Sequence, residues 1–442
     1  AAIVQHCGGD IRRVPLDVKA EHLEWVVRRY MLAPYGLVHH RVRLPETVGE
    51  PPQYQFGDDT VTWAGALMAA LSYKYHVTKD PETLDLIGRM LDGFHFAIEV
   101  TGQRGLAARC VLKSDVPVGN ATERYVAADG TVYHYRSDAA KGTYNQLVGG
   151  YAVLMMHAYD ALPPEKQRLA RNDLQALAHH LVYFDYRLTE RNDEPTSYGN
   201  LTPLIATHGV PFNAQVAYTI VAAGHHFPGD EPTMQERINE EFERLRDKHH
   251  VYYEDPARYF ICPQRVGDNP LVKGMNDRNH VANAAFVGLL IEMDSAKRKR
   301  RPVDGEFLYQ LGRTIHWTME RIQYEGNALC NFQWAAVHQE PEHFRLISPH
   351  DPERRRKQLE YLVATGTEQL RRCPLDRFYV PGEKIETREP HWVDAQRPGE
   401  SYYWKHDPYY YWQRTGEPTS DLVAAMDYLH AYWLMRRFGL AD

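Results

Sequence analysis

The chain has 442 residues, with 51 Lys and Arg against 58 Asp and Glu, so its formal net charge is −7. Its composition, 43% hydrophobic and 25% charged, is typical of a soluble globular protein with a large core. The lack of a sustained basic stripe argues against nucleic acid as a partner, because that binding depends on clustered Lys and Arg. No stretch approaches the roughly 18 consecutive apolar residues that cross a bilayer, so we expect no membrane insertion.

Cofactor and metal signals are weak. The five cysteines lie far apart without a C-x-x-C pair, which predicts neither a disulfide framework nor a zinc site. Dinucleotide, Walker and G-x-S-x-G motifs are missing, so we expect no cofactor. A structural Ca²⁺ among the carboxylates would lack EF-hand spacing. The chain opens with Ala-Ala-Ile-Val, which fits a processed or a trimmed chain, and we favour a secreted or periplasmic protein over a cytoplasmic one.

Helical hairpins recur along the chain. Apolar residues spaced by three, four and seven predict two amphipathic helices at 60–79 and 84–98, joined by a short connection. Further hairpins are predicted at 141–161 with 165–188, 213–227 with a helix ending near 249, 280–293 with 303–323, and 331–338 with 352–371. The N-terminal helix 19–33 and the C-terminal helix 418–437 lack neighbouring partners, and we expect them to close a ring as the sixth pair.

The connections between these hairpins are long, at 103–140, 189–212, 250–279 and 374–417. Long loops in a compact domain are usually functional. Side-by-side hairpins place them at the N-terminal ends of the inner helices. Because strand patterns are scarce, the sequence predicts an all-α fold, a single (α/α)6 toroid over residues 1–442. A helical solenoid is the alternative, but the sequence has no fixed repeat period.

Several motifs resemble the six-hairpin glycosidase-like superfamily. They are Gly57-Asp58-Asp59-Thr60 with Trp63-Ala64-Gly65, Thr101-Gly102-x-x-Gly105-x-x-x-Arg109, Ser137-Asp138 with Gly142-x-Tyr-Asn-Gln146, and Tyr402-Tyr-Trp404-x-x-Asp407-Pro408-Tyr409. The resemblance implies an (α/α)6 toroid and a carbohydrate substrate. It does not fix the reaction, since this superfamily includes glycoside hydrolases, polysaccharide lyases and members without assigned activity.

Aspartates precede two of the predicted inner helices. Asp58 and Asp59 precede the first hairpin and Asp138 the second, where a carboxylate, or Ser137, can simply cap the helix. A glycosidase needs two carboxyl groups roughly 5–10 Å apart around the scissile bond. We therefore predict Asp138 with Asp58 or Asp59 as the catalytic pair. The resemblance to unsaturated glucuronyl hydrolases of this fold, which use two aspartates near inner helix starts, implies the same acid and base roles.

The candidate substrate-binding residues fall into three chemical groups. Cations suited to an acidic sugar are Arg109, Arg136, Lys141 and Arg278. Aromatic rings, which stack on sugars and equally fill cores, are Trp63, Tyr135, Tyr144, Trp404 and Tyr409. Other hydrogen-bonding side chains are His134, Asn145, Asn276, His280 and His406. His280 has no metal-ligand spacing around it, so no metal site is predicted.

Two other functions remain open. A polysaccharide lyase needs a Tyr or His base and an Asn, Arg or His that neutralises the uronate carboxylate. Residues of those types are His134, Tyr135, Tyr144, Asn145, Asn276 and His280. A non-catalytic glycan-binding or assembly protein would use the same toroid without chemistry, since a fold does not fix a function.

Overall fold

A computed structural model describes residues 2–47, 49–57, 60–115, 123–202, 211–248, 275–300, 302, 327–339, 352–386, 410–423 and 425–441. These ranges contain twelve α-helices and ten short β-strands. The prediction of a mostly helical protein is confirmed. The strands lie in connections between helices, where the sequence analysis predicted no sheet.

The helices have the following bounds in chain order: α1 Ala2–His6, α2 Leu16–Val26, α3 Thr60–Thr78, α4 Pro81–Glu99, α5 Lys141–His157, α6 Pro164–Tyr183, α7 Pro211–His226, α8 Pro232–Glu243, α9 Met275–Arg298, α10 Ala328–Gln339, α11 Pro352–Arg372 and α12 Met426–Arg437. The short turn between α3 and α4 shows why the hairpins form. Asp80 accepts hydrogen bonds from the N–H groups of Glu82 and Thr83, and Pro81 occupies the first helical position.

The helices differ in how they are buried. Every residue from Thr60 to Tyr73 of α3, from Thr143 to Met155 of α5 and from Ala328 to His338 of α10 is buried. In contrast, α4 buries only one face, which includes Leu86, Met90 and Phe94. A helix that is buried on all sides belongs to the interior, whereas an amphipathic helix covers it. The described helices therefore form an inner and an outer set.

Glycines allow the two inner helices α3 and α5 to approach closely. A Cβ added to Gly65 would lie 2.4 Å from the carbonyl oxygen of Gln146, and one added to Gly150 would lie 2.6 Å from the carbonyl oxygen of Gly65. Neither position has room for a side chain, so backbone packs directly against backbone. This contact places the N-terminal half of α5 firmly beside α3.

The remaining helix contacts link the inner helices in sequence. Contacts join α3 with α5, α5 with α7 and α9, α7 with α9, α9 with α10, α10 with α12, and α12 with α3. The outer helices α4, α6, α8 and α11 contact α3, α7, α7 and α10, respectively, and α2 contacts α12.

Within the described ranges, no helix is long and apolar enough to cross a membrane.

The strands form four small antiparallel sheets, β10–β1–β2, β3–β5–β4, β6–β7 and β8–β9. Their bounds are β1 Arg41–Arg43, β2 Gln53–Tyr54, β3 Cys110–Lys113, β4 Glu123–Val126, β5 Val132–Arg136, β6 Arg187–Thr189, β7 Pro195–Asn200, β8 Gly382–Glu386, β9 Tyr410–Arg414 and β10 Asp421–Val423. The expectation of an all-α fold was therefore wrong in this respect. Strands of two to six residues are too short for a convincing period-two pattern.

Within the described ranges the predicted helices overlap the observed ones, but several differ in extent. The helix predicted over 165–188 ends at Tyr183, because Arg187–Thr189 pairs as a strand. The C-terminal helix begins at Met426 rather than near 418, because Asp421–Val423 pairs as a strand with Arg41–Arg43. Asp421 also accepts hydrogen bonds from Arg41 and Arg43 across that pair. The predicted helix 303–323 lies outside the described residues.

Candidate functional site

The three-stranded sheet β3–β5–β4 leads the chain into α5 and fixes the centre of the candidate site. Strand β5 lies between β3 and β4, with Cys110 opposite Arg136. The N–H of Arg109 donates to the carbonyl oxygen of Arg136 at 2.8 Å, and Arg109 in turn accepts from the N–H of Val61 at 3.1 Å. The sheet therefore holds the backbones of Arg109 and Arg136 together, beside the first turn of α3.

Asp138 lies between these two arginines. Its Oδ2 is 3.3 Å from Nη2 of Arg136 and 3.7 Å from Nη1 of Arg109, and its Oδ1 accepts from the backbone N–H of Ser197 at 2.8 Å. The Asp138 side chain is 16% exposed. Two guanidinium groups and one backbone N–H thus converge on a carboxylate that retains access to solvent.

Neither Asp138 nor Ser137 caps α5. The helix begins at Lys141, its N-cap is Ala140, and no side chain makes a capping hydrogen bond. Ser137 instead donates to Oε1 of Glu123 at 2.5 Å, and the Tyr135 hydroxyl donates to Oε2 of the same residue at 2.9 Å. The alternative of a simple helix cap does not account for Asp138.

Glu190 is a second carboxyl group, close enough to Asp138 to interact with it electrostatically. It follows β6 and is half-buried. Burial raises its pKa, the negative charges of Asp138 and Glu123 raise it further, and Arg136 opposes them. The two carboxyl groups therefore have different surroundings. Asp138 contacts two arginines and a backbone N–H, whereas Glu190 is partly buried and interacts with two negative charges.

A row of polar contacts extends from α5 to the neighbouring inner helices. Lys141 donates to Oδ1 of Asn213 on α7 at 3.0 Å. Nδ2 of Asn145 donates to the carbonyl oxygen of His280 on α9 at 3.0 Å and lies 3.1 Å from its Nδ1. Gly142 makes room for the imidazole, since a Cβ there would lie 2.8 Å from Nε2 of His280. The role of Lys141, Asn145 and His280 in substrate binding stays a prediction.

The aromatic candidates on described residues lie in the interior. Trp63 is 1% exposed, Tyr135 2% and Tyr144 0%. The Tyr144 hydroxyl donates to the carbonyl oxygen of Gly105 at 2.5 Å and accepts from the N–H of Ala107 at 3.1 Å, while burial raises its pKa. These rings present no open face to solvent and account for the packing around α3 and α5.

Other predicted site residues are only partly described. His134 on β5 is 4% exposed. Asn276 and Arg278 belong to α9, but their side chains lie outside the described set. Asp58, Asp59, Trp404, His406 and Tyr409 also lie outside the described residues. The proximity of Asp58 or Asp59 to Asp138 therefore stays a prediction.

Sequence reasoning missed Glu123, Glu190 and Ser197. All three lie in the long connections 103–140 and 189–212, which had been predicted as functional loops. Only the sheet and the β6–β7 hairpin bring them to Asp138.

Among the described His, Cys, Asp and Glu side chains, no group of three is placed to hold a metal ion.

Comparisons with known proteins add little. Neither protein-family models nor curated protein sequences give a match to this chain. A solved structure of a sugar epimerase from a ruminal bacterium is similar over 95% of this chain and 98% of that chain, with 9% identity and a TM-score of 0.43. A similarity at this level establishes neither a common fold nor a common activity.

Proposed function

We propose that this protein is a glycoside hydrolase that acts on an oligo- or polysaccharide, including chains that contain uronic acid. The proposal depends chiefly on one observation, the pair of neighbouring carboxyl groups Asp138 and Glu190 in opposite surroundings. Glycoside hydrolysis needs one carboxyl group that donates a proton and one carboxylate that serves as base or nucleophile. Unequal environments are how proteins assign those two roles.

Asp138 takes the role of base or nucleophile. Arg109 and Arg136 contact Oδ2, and the Ser197 N–H contacts Oδ1. These contacts hold the carboxylate in one orientation. Its partial exposure leaves a path for a sugar ring.

Glu190 takes the role of proton donor. Burial and the adjacent charges of Asp138 and Glu123 raise its pKa, so its carboxyl group keeps a proton to higher pH than an ordinary glutamate does. Asp58 and Asp59 remain the alternative partners of Asp138. Each is separated from Thr60, the first residue of α3, by no more than one residue.

The substrate class follows from the charges at this site. Arg191 is exposed beside Glu190, and within the described part of the chain it has no ion-pair partner. Arg109 and Arg136 already contact Asp138, and Lys141 contacts Asn213. We therefore propose that Arg191, an exposed cation that directly follows Glu190, pairs with a uronate carboxylate.

We also propose that the chain forms one (α/α)6 toroid. The cyclic order of contacts α3–α5–α7–α9–α10–α12–α3 supports an inner ring of six helices. The outer helices that contact this ring, and the contact between α2 and α12, are consistent with six hairpins. In this arrangement Thr60, Lys141 and Asn213 mark the end of the ring at which the substrate binds.

The proposal is tested by incubating the protein with neutral and uronic-acid polysaccharides while following new reducing ends and the ultraviolet absorbance of unsaturated products. We expect reducing ends without that absorbance. Asp138→Asn should lower the rate by about 10²–10⁴-fold, the usual size of acid–base effects. Asp193→Asn is the matched control, because Asp193 is an exposed carboxylate in the turn of the β6–β7 hairpin. Its backbone φ of 64° is one that asparagine tolerates.

Glu190→Gln separates the two roles. With an aryl glycoside whose leaving group needs no protonation, Glu190→Gln should retain most activity whereas Asp138→Asn should not. If Asp58→Asn or Asp59→Asn shows this behaviour instead, that aspartate is the proton donor. Unsaturated products would replace the hydrolase with a lyase, and saccharide binding without any product would replace it with a glycan-binding protein.

A further inference from the structure

The β6–β7 hairpin brings an exposed aromatic side chain next to the candidate site. Tyr198 is 61% exposed, although it directly follows Ser197, whose N–H binds Asp138. Within the described ranges its ring has no aromatic neighbour and its hydroxyl has no hydrogen bond. Tyr198 thus combines an exposed ring with a position next to the residue that binds Asp138.

Contacts of the neighbouring residues hold the backbone that carries this ring. The Ser197 N–H bond ties β7 to Asp138, and the Thr196 hydroxyl donates to the carbonyl oxygen of Ala139 at 2.7 Å. Gly199 continues the strand in a confined place, since a Cβ there would lie 2.1 Å from Oγ1 of Thr196. The backbone that leads into Tyr198 is therefore anchored, while the Tyr198 side chain is exposed to solvent.

Other exposed aromatic residues lack this relationship to the site. Trp25 on α2 stacks with His22 at 6.0 Å between ring centroids. Tyr183 at the end of α6 is 59% exposed and lies under the guanidinium of Arg237. The aromatic residues close to Asp138 in sequence, Tyr135 and Tyr144, are buried. Of the aromatic rings exposed on described residues, Tyr198 is the one whose neighbour in the chain contacts Asp138.

We propose that Tyr198 is a substrate-stacking residue. It binds the apolar face of a sugar ring next to the glycosidic bond that is cleaved at Asp138. This inference rests on the proposed function and names a binding contact that it requires. The apolar C–H face of a pyranose packs on an aromatic ring and loses water there. Because a stacking ring takes no part in breaking the glycosidic bond, we expect its effect on binding rather than on the chemical step.

The test compares Tyr198→Ala, Tyr198→Phe and Tyr183→Ala with the wild-type protein on the best oligosaccharide substrate. We expect Tyr198→Ala to raise KM about tenfold, which corresponds to about 1.4 kcal/mol, with kcat changed less than about twofold. Tyr198→Phe should retain the wild-type KM because it keeps the ring. Tyr183→Ala, which removes an equally exposed tyrosine from another surface, should change neither constant.

A binding measurement separates this inference from the proposed hydrolysis. Oligosaccharide affinity is measured by calorimetry in an Asp138→Asn background, with and without Tyr198→Ala. Weaker binding on loss of Tyr198 supports the stacking contact even if the protein proves to be a lyase or a binding protein. Equal affinity of the two variants, or an equal loss with Tyr183→Ala, overturns it. A protein that binds no saccharide overturns both the stacking contact and the proposed function.

Discussion

Ser197 and Asp138 are joined by a hydrogen bond of 2.8 Å from a backbone N–H to Oδ1, although 59 residues separate them in the chain. A backbone donor leaves the choice of side chain at residue 197 free, so the sequence carries no signature of this contact. The bond fixes the β6–β7 hairpin over the segment that enters α5. The same hairpin carries Glu190, which interacts electrostatically with Asp138, together with Arg191 and Tyr198.

Replacement of Arg191 tests the substrate class. Because this exposed cation stands next to Glu190, Arg191→Gln should raise KM for uronic-acid substrates about tenfold and leave KM for neutral ones unchanged. Arg187→Gln is the matched control, since Arg187 is also exposed but lies on β6, opposite Asn200. Equal effects of Arg191→Gln on neutral and acidic substrates would count against recognition of a carboxylate.

The pH dependence of kcat/KM tests the role of Glu190. A proton donor must be protonated, so activity should fall as pH rises through the raised pKa of Glu190. Arg136 lowers that pKa, so Arg136→Gln should move the alkaline limb to higher pH while it also reduces the rate through Asp138. The profile is recorded with an activated aryl glycoside as reference, which should lack this limb. An alkaline limb that Glu190→Gln leaves in place would assign it to another group.

Gly142→Ala tests the close packing between α5 and His280. An alanine normally stabilises a helix relative to glycine, but a Cβ at residue 142 would lie 2.8 Å from Nε2 of His280. We therefore expect a loss of about 1–3 kcal/mol in the free energy of unfolding, together with a higher KM as the imidazole shifts from Asn145. Urea denaturation and kinetics measure both effects.

Gly88→Ala is the control for that substitution. Gly88 lies within α4, and an added Cβ there meets no heavy atom within 4 Å. The control should gain about 0.5–1 kcal/mol from helix propensity. If Gly142→Ala were equally stabilising, the space beside His280 would be larger than the structure indicates.

The sequence predicted the helices well because their signal is local. The spacing of apolar residues and the Asp80-Pro81 start depend on near neighbours along the chain, and the structure places α3 and α4 as expected. The same pattern could not show whether an aromatic side chain binds sugar or packs in the core. Trp63 and Tyr144 lie on helices that are buried on all sides, and that burial depends on partners distant in sequence.

For a similar reason, the sequence could predict some residues of the candidate site but not others. Asp138 stood out because it precedes a helix, and Arg109 because it belongs to a motif. Glu190 has an ordinary setting in the sequence, and its raised pKa comes from Asp138 and Glu123 through the fold. The long connection 189–212 was the available signal, but it did not indicate which residue matters.

The pair formed by His95 and Asp173 predicts a pH-dependent contribution to stability. Nδ1 of His95 is 2.8 Å from Oδ1 of Asp173, while the Tyr151 hydroxyl donates to Oδ2 of the same carboxylate. The hydrogen bond to Asp173 raises the pKa of His95 above 6.5. The imidazolium therefore stabilises the fold below pH 6.5, and this contribution is lost as pH rises through the folded-state pKa. Because the His95 side chain is 46% exposed, the effect should stay below about 1 kcal/mol.

Urea unfolding of wild type and His95→Gln on either side of that range measures this effect. The two proteins should differ more at the lower pH and converge at the higher pH. His22→Gln is a suitable control, because burial lowers the pKa of His22 instead. A difference between wild type and His95→Gln that grows with pH would contradict the assignment.

Lys19 predicts the largest stability effect. It is fully buried on α2, and its ammonium group donates to the carbonyl oxygens of Leu370, Arg371 and Cys373 at 3.3, 2.5 and 2.9 Å, at the C-terminal end of α11. Lys19→Met leaves these oxygens without their donor, so we expect a loss of about 2–4 kcal/mol in the free energy of unfolding. Lys357→Met, which removes an exposed partner of Glu353, should cost less than about 0.5 kcal/mol.

The pH dependence of the same variant gives an independent check on Lys19. Burial lowers the pKa of Lys19 from 10.5 to about 8, so between these values the unfolded chain binds more protons than the folded chain. Linkage then requires the Lys19 contribution to wild-type stability to increase with pH across this range, and Lys19→Met should lack that increase. The difference between the two unfolding curves, measured in urea at several alkaline pH values, isolates this contribution from the other lysines and tyrosines. A difference that stays constant with pH would mean that the Lys19 ammonium group is as well solvated in the folded protein as in the unfolded chain.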